Sequence, residues 1–217
     1  MVFIKSKYKL ANFFTVESFK KTAESWGLPV QQNYPELEQI LKNYQVKYRH
    51  AVRAPIPLAF GQRGQVYSAQ VAINEQHSYQ VIWSVVAANR VIKKVNLPIV
   101  TVTLAEIVAR VDQEGIRVNY LSKALKNNRP IILANYPQLR EEPKLFIIDG
   151  NHRVMARLKE GIAKIPAYVL TPEQHLEAMT RERYRVFYKI HFNCLMIARC
   201  MGGQVSYQEA SSTLYQL

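Results

Sequence analysis

Residues 145–170 read LFIIDGNHRVMARLKEGIAKIPAYVL, and the interpretation of the whole chain depends on this stretch. Positions 145–148 are all apolar, which is typical of a strand covered on both faces. An Asp-Gly pair at 149–150 interrupts the apolar run, and helix-forming residues follow over 151–160. The pattern predicts a strand, a tight glycine turn and a helix, with another strand over 165–170.

The residue types of this turn are common in the phosphate-binding sites of proteins. Gly150 permits close approach of the backbone to a ligand, and a helix N-terminus behind it presents unpaired N–H groups. Asn151 and His152 add side-chain donors, and Arg153 can contact two phosphate oxygens at once. Asp149 could assist a metal ion or a water. We therefore predict an anion site here, with simple helix capping as the competing explanation. A carboxylate of the protein itself occupying that corner would contradict the prediction.

The longer pattern resembles the ParB/sulfiredoxin superfamily. That signature consists of an apolar strand, a G-x-H-R type turn, a helix, a glycine and a strand beginning Ile-Pro. Here the turn is Gly150–Arg153, the glycine is Gly161 and the second strand begins at Ile165-Pro166. A helix and a strand predicted just upstream also occupy the family's positions, so the resemblance covers about residues 95–171.

The resemblance implies a nucleotide-binding core, with Gly150, Asn151, His152 and Arg153 around the phosphates of ATP or another nucleotide. It makes Asp149 and His152 candidate catalytic residues and Asp149 a candidate ligand of Mg²⁺. Kinases of this superfamily place a catalytic glutamate before the upstream helix, which makes Glu106 a further candidate. Sulfiredoxins have a redox cysteine where this chain has Asn151, so sulfinic acid reduction is not expected. Chromosome-partitioning ParB proteins have a second conserved motif, followed by a DNA-binding helix-turn-helix. That motif is not recognised in this sequence, so a centromere-binding clamp is not expected.

The charge of the chain predicts a polyanionic partner, with DNA as the first candidate. The sequence has 29 Lys and Arg against 16 Asp and Glu, a net charge of +13. Such a surplus attracts polyanions to the protein surface. Two stretches, 44–53 and 181–189, interleave cations with tyrosines that could stack on bases. Their candidate DNA-binding residues are Lys47, Arg49, Arg53, Arg181, Arg183 and Arg185. The alternative is two amphipathic helices whose tyrosines pack inward.

The chain as a whole is predicted to have an α+β fold. Amphipathic helices are expected over 15–26 and 35–48. An antiparallel meander is expected over 55–103, with strands that include 56–60, 91–95 and 99–103. We divide the chain into an N-terminal helical and β extension (1–94), a ParB/sulfiredoxin-like mixed-sheet core (95–171) and C-terminal helices packed on that core (172–217). No apolar run is long enough to span a membrane, so we expect a cytoplasmic protein with no membrane partner.

Together these features predict a nucleotide-binding protein that acts on DNA, with ATPase activity, DNase activity or both. Two alternatives stay open. One is a non-enzymatic DNA-binding regulator or plasmid-encoded inhibitor protein, which would bind DNA without turnover. The other is a small-molecule phosphotransferase, which would need an acidic general base in a closed cleft and would ignore DNA.

Overall fold

The computed structural model describes residues 12–53, 65–138 and 144–217, and it confirms the mixed α and β class. The α-helices of this part of the chain are α1 (Val16–Ser25), α2 (Leu37–Arg53), α3 (Val85–Lys94), α4 (Leu121–Leu125), α5 (Asn151–Lys159), α6 (Pro172–Ala178), α7 (Glu182–Met201) and α8 (Tyr207–Thr213). The strands are β1 (Val66–Ala72), β2 (Ser78–Ser84), β3 (Val100–Thr103), β4 (Ile131–Asn135), β5 (Leu145–Asp149) and β6 (Lys164–Leu170). They form a two-stranded sheet and a four-stranded sheet.

The described residues divide into two compact units. The helical unit comprises 12–53, 70–81 and 181–217, and the sheet unit comprises 65–69, 82–138 and 144–180. This grouping differs from the three segments expected from the sequence. Helix α3 belongs to the sheet unit, and helices α7 and α8 belong with the N-terminal helices rather than with the core. The reason is that α7 is apolar on most of its circumference, and α1, α2 and α8 cover it.

The sheet unit is built on a four-stranded sheet in the order β3-β6-β4-β5. β6 is parallel to β4, and the other two neighbouring pairs are antiparallel. Ile131, Leu133 and Ile147 are almost completely buried in its core, which explains the continuous apolar runs of β4 and β5. In the pairing of β4 with β5, Ile132 lies opposite Asp149, so the start of β4 is beside the turn that follows β5.

The helical unit has an aromatic core. Phe13, Phe19, Tyr79 and Tyr188 are fully buried in it. The ring of Tyr48 on α2 lies 5.3 Å from that of Phe187 on α7. The expected helices at 15–26 and 35–48 are confirmed as α1 and α2, although α2 begins two residues later than expected and extends to Arg53.

The meander expected over 55–103 is wrong in its second half. Residues 91–95 were expected to form a strand, but they lie in and just after α3. Ser84 caps this helix by accepting a hydrogen bond from the Ala87 N–H at 3.2 Å. Ala88, Val91 and Ile92 then recur at helical spacing and are buried. The last expected strand exists as β3, but it pairs with β6. The expected strand at 56–60 lies outside the described residues.

Within the described part of the chain, no helix has the length and apolar character needed to cross a membrane.

Two buried histidines make the stability of the fold dependent on pH. Burial lowers the pKa of His175 to about 4 and that of His191 to about 3, from an ordinary value of 6.5. Both rings are therefore neutral in the folded protein. The Trp83 indole N–H donates to His175 Nδ1 at 3.4 Å, and Tyr79 Oη lies 3.0 Å from His191 Nδ1.

We predict that the free energy of unfolding falls as the pH drops from about 6.5 to about 4. In that window the unfolded chain binds protons that the folded chain excludes, and this favours unfolding by about 2 kcal/mol or more for each ring. Urea denaturation across the pH series measures it. His191→Asn should flatten the profile, whereas His50→Asn, at an exposed position, should not. A wild-type profile that is flat below pH 6.5 would contradict the prediction.

Candidate functional site

The predicted turn between β5 and α5 has the expected geometry. β5 ends at Asp149, and Gly150 adopts a left-handed conformation with φ of 118° before α5 begins at Asn151. A side chain at position 150 would also collide with Ile131, since an added Cβ would be 2.8 Å from the Cβ of that residue. Two independent constraints, backbone conformation and packing, therefore require glycine here.

The Arg153 guanidinium faces the protein rather than a ligand. Its Nη2 donates to Asp149 Oδ2 at 2.8 Å, and its Nη1 donates to the carbonyl oxygens of Arg129 and of Pro130, the latter at 2.9 Å. Arg153 is only 6% exposed. The expected phosphate contact of Arg153 needs correction, because these groups, including the protein's own carboxylate, already engage both terminal nitrogens. Arg153 instead fixes the turn against the start of β4.

The side chains of Asn151 and His152 hold a neighbouring loop. The backbone N–H of Asp112 donates to Asn151 Oδ1 at 3.0 Å, and that of Arg117 donates to His152 Nε2 at 2.9 Å. In this second bond, Nε2 of His152 is the acceptor. Both side chains therefore act as acceptors toward the 112–117 loop, and not as the phosphate donors expected from the sequence.

The turn nevertheless lines a large cleft of the sheet unit. The cleft has a volume of about 820 Å³, within the range of small-molecule and cofactor sites. All five turn residues from Asp149 to Arg153 contribute to its wall. The other lining residues are Gln65, Val66, Tyr67, Asn89, Asp112, Gly115, Arg117, Tyr120, Ala124, Asn127, Arg129, Pro130, Ile132, Ile148 and Tyr168.

Of the described residues that line the cleft, Arg117 and Arg129 are the cations that a ligand can reach. Both residues are exposed, and neither guanidinium forms an ion pair within residues 12–53, 65–138 and 144–217. Their positions follow from the turn itself. His152 holds the backbone of Arg117, and Arg153 holds the carbonyl of Arg129. Sequence reasoning missed both arginines, although the antiparallel pairing of β4 with β5 would have placed Arg129 beside the turn.

The first turn of α5 offers backbone donors to the same cleft. Gly150 occupies the N-cap position and has no side chain to accept from the amides that follow. The Val154 N–H donates to the Gly150 carbonyl at 3.0 Å, so the unpaired donors of the helix are those of residues 151–153. These amides and the positive end of the helix dipole favour a negatively charged group.

Tyr120 adds an aromatic surface at the edge of the cleft. It is 42% exposed, and its ring lies 5.2 Å from that of His152 in an edge-to-face arrangement. Lys123 Nζ lies 5.6 Å from the centre of the Tyr120 ring. An exposed aromatic face beside cations is the combination that binds nucleobases and other planar groups. Tyr120 lies outside the motif, and no pattern in the sequence pointed to it.

The expected catalytic residues are not arranged as a reactive set. The Glu106 carboxylate accepts from the Thr103 N–H at 3.0 Å in a capping box and does not line the cleft. Asp149 is paired with Arg153, and His152 holds the backbone of Arg117. Asp112 is the other carboxylate of the cleft wall, and one of its oxygens accepts from the Gly115 N–H at 3.2 Å. Burial raises the pKa of the nearby Tyr67 hydroxyl, with a smaller contribution from Asp112.

The structure does not support Asp149 as a metal ligand. Its Oδ2 accepts from the Arg153 guanidinium. Among the residues that the structure describes, no three His, Cys, Asp or Glu side chains are grouped as a metal ion requires. Among the described residues, the carboxylates that line the cleft are those of Asp112 and Asp149.

The two basic-aromatic stretches lie in the helical unit, and their tyrosines face inward. Tyr44, Tyr48, Tyr184 and Tyr188 are all buried, so none of them is placed to stack on a base. Asn193 Nδ2 donates to Tyr44 Oη at 3.0 Å. Lys47, Arg49 and Arg53 are exposed, whereas Arg181, Arg183 and Arg185 are half-buried. Arg185 is paired with Glu182 at 2.9 Å.

No protein-family model, curated protein or solved structure matches this chain.

We predict that Gly150→Ala destabilises the protein far more than Gly161→Ala. Both glycines have positive φ, 118° and 70°, but only an added Cβ at 150 meets other atoms. Left-handed strain costs about 1–2 kcal/mol, and overpacking against Ile131 adds about 1–3 kcal/mol at position 150. Urea denaturation of the two variants measures the difference, and equal losses would show that the packing constraint is absent.

We also predict that Arg153→Gln lowers the free energy of unfolding by about 3 kcal/mol. The change leaves a partly buried carboxylate and two carbonyl groups without their donor. Arg157→Gln is the matched control on the same helix, because Arg157 Nη2 donates only to Asn128 Oδ1 at 3.1 Å. It should cost about 1 kcal/mol or less. Equal costs in thermal or urea denaturation would contradict the assigned role of Arg153.

Proposed function

We propose that this chain binds a phosphorylated ligand, with ATP or another nucleotide as the first candidate, in the cleft beside the β5–α5 turn. The observation that carries the proposal is the convergence of Arg117, Arg129 and the uncapped amides of α5 on one cleft. The charge-assisted hydrogen bonds of guanidinium groups suit phosphate oxygens, and Tyr120 offers a face for a base. This cleft would take a nucleotide without using Arg153.

The proposal includes a ParB/sulfiredoxin-like core. Its support is the chain order β4, β5, α5, β6, with Gly150 in the turn, Gly161 after the helix and Pro166 in the following strand. β6 is parallel to β4, and β5 is the outer strand on the other side of β4, so the turn that follows β5 lies at one edge of a mixed sheet. A family role for the motif in holding phosphate is compatible with this geometry if the backbone, and not the Arg153 side chain, makes the contact.

Action on DNA is the second part of the proposal, with ATPase or DNase activity as its enzymatic form. Hydrolysis needs a group that orients water, and Asp112 is the carboxylate of the cleft wall that forms no ion pair with a described guanidinium. Mg²⁺ would have to arrive with the phosphates of the nucleotide, because Asp149 does not fit the role of a metal ligand.

A non-enzymatic DNA-binding regulator is the competing function. It is favoured because the three candidate catalytic residues already have structural partners. Asp149 accepts from the Arg153 guanidinium, and His152 and Glu106 accept from the backbone N–H groups of Arg117 and Thr103. A phosphotransferase for small molecules is supported less well, since Asp112 is exposed and a closed cleft with a general base is what that reaction requires.

The nucleotide site is tested by Arg117→Gln and Arg129→Gln. Each change should raise the Kd for ATP with Mg²⁺ about tenfold or more, because a charge-assisted hydrogen bond contributes about 1.5–3 kcal/mol. Isothermal titration calorimetry measures the change. Lys159→Gln, which removes one exposed cation from the far end of α5, should alter Kd less than about twofold. Wild-type affinity in both arginine variants would overturn the proposal.

One assay separates the enzyme from the regulator. The wild-type protein and Asp112→Asn are incubated with ATP, Mg²⁺ and supercoiled plasmid, and phosphate release and nicking are measured together. An enzyme releases phosphate or nicks DNA at a rate that Asp112→Asn reduces. A regulator retains the plasmid in a salt-sensitive manner without either product.

A further inference from the structure

Cations are concentrated at one end of two packed helices of the helical unit. On α2, Lys47, Arg49 and Arg53 are exposed, and on α7 the residues Arg181 and Arg183 are partly exposed at the N-terminus. None of these five side chains forms an ion pair with another residue of the described chain. We call this group the basic end.

The packing of α2 on α7 brings the two sets of cations together. Tyr44 of α2 contacts Asn193 of α7, whereas Tyr48 contacts Phe187. Advancing along α2 therefore means going back along α7, so the two helices are antiparallel. The C-terminal turns of α2 and the first turns of α7 consequently lie at the same end of the pair.

The described acidic residues on these two helices that form ion pairs do so with other cations. Glu38, in the first turn of α2, pairs with Lys42 at 2.7 Å, well before the basic half of the helix. Glu182 is the acidic residue of the first turn of α7, and it pairs with Arg185 at 2.9 Å. Five cations therefore remain without a counter-charge among the described residues, on helices that are rigidly packed.

The burial of the tyrosines restricts the kind of nucleic acid that fits. Proteins that hold single strands combine cations with aromatic faces on which bases stack. Here the tyrosines between the cations pack inward, with Tyr44 8% exposed and Tyr48 6% exposed on α2, and Tyr184 5% and Tyr188 0% on α7. The basic end presents charge without a stacking surface, which matches a sugar-phosphate backbone and not exposed bases.

We propose that the basic end binds the phosphate backbone of duplex DNA without reading its sequence. A duplex carries about one negative charge per 1.7 Å of axis, the higher density of the two forms of DNA. Residues 47–53 cover about 9 Å of α2, and packed helices lie about 8–10 Å apart, so the basic end reaches about three to five phosphates. This inference rests on the DNA-directed part of the proposed function and is independent of the nucleotide cleft.

The test is the salt dependence of binding to a fluorescent duplex of mixed sequence, followed by anisotropy. The slope of log Kobs against log salt should fall by about 2–3 in the variant Lys47→Gln, Arg49→Gln, Arg53→Gln, since each lost contact removes about 0.9. Arg181→Gln with Arg183→Gln should lower it by about 1–2. The control Lys20→Gln, Lys21→Gln, Lys42→Gln removes three cations of the same unit, of which Lys20 is half-buried and the other two are exposed, and it should leave the slope nearly unchanged. Circular dichroism confirms that each variant is folded.

Two results would overturn the inference. An equal fall of the slope in the control would mean that binding depends on total charge, and tighter binding of a single strand than of the duplex would identify a different partner.

The nucleotide site is tested separately in the same proteins. Basic-end variants should keep their affinity for ATP, and Arg117→Gln with Arg129→Gln should keep duplex binding. If only the cleft variants lose the duplex, this inference fails and the nucleotide proposal stands.

Discussion

The fold of the sheet unit depends on one buried guanidinium. Arg153 connects Asp149 at the end of β5 with the carbonyl groups of Arg129 and Pro130 at the start of β4, and its own backbone belongs to the first turn of α5. The end of β5 and the first turn of α5, which are adjacent in sequence, are thereby fixed to the start of β4, more than 20 residues earlier. Because Arg153 is buried and Asp149 is partly buried, the loss of either partner leaves polar groups without a hydrogen-bond partner, which makes the arrangement specific.

The same contacts explain why the groups that face the cleft come from other loops. With Arg153 turned inward, Asn151 and His152 accept from the backbone of the 112–117 loop. The backbone of Arg117 is held beside the cleft because its N–H donates to His152. The backbone of Arg129 is held there because its carbonyl accepts from Arg153. The residues of the motif hold the geometry, and less conspicuous arginines supply the charge.

Local signals in the sequence predicted the centre of the fold well. Between residues 145 and 170 each boundary is within one residue of the prediction, because the apolar run and the Gly150 turn act over a few residues. The prediction of a strand at residues 91–95 was wrong. It relied on β-branched side chains, which are common in strands, whereas the Ser84 cap and the burial of Ala88 favour a helix. The inward direction of Tyr44 and Tyr48 was open to prediction, since they share a helical face with Leu41.

The site was harder to predict than the fold, and the reason is physical. A motif identifies which residue types recur at a turn, but a histidine or arginine can be required there either to touch a ligand or to hold the backbone. The two roles differ only in long-range partners, such as the Arg129 carbonyl, and strand pairing brings these into reach. Once β4 is paired with β5 so that Ile132 lies opposite Asp149, the guanidinium of Arg153 is within hydrogen-bond distance of carbonyl groups and is engaged by them rather than by a ligand in the cleft. Assigning a ligand contact to a motif arginine therefore requires the register of the neighbouring strand as well as the motif.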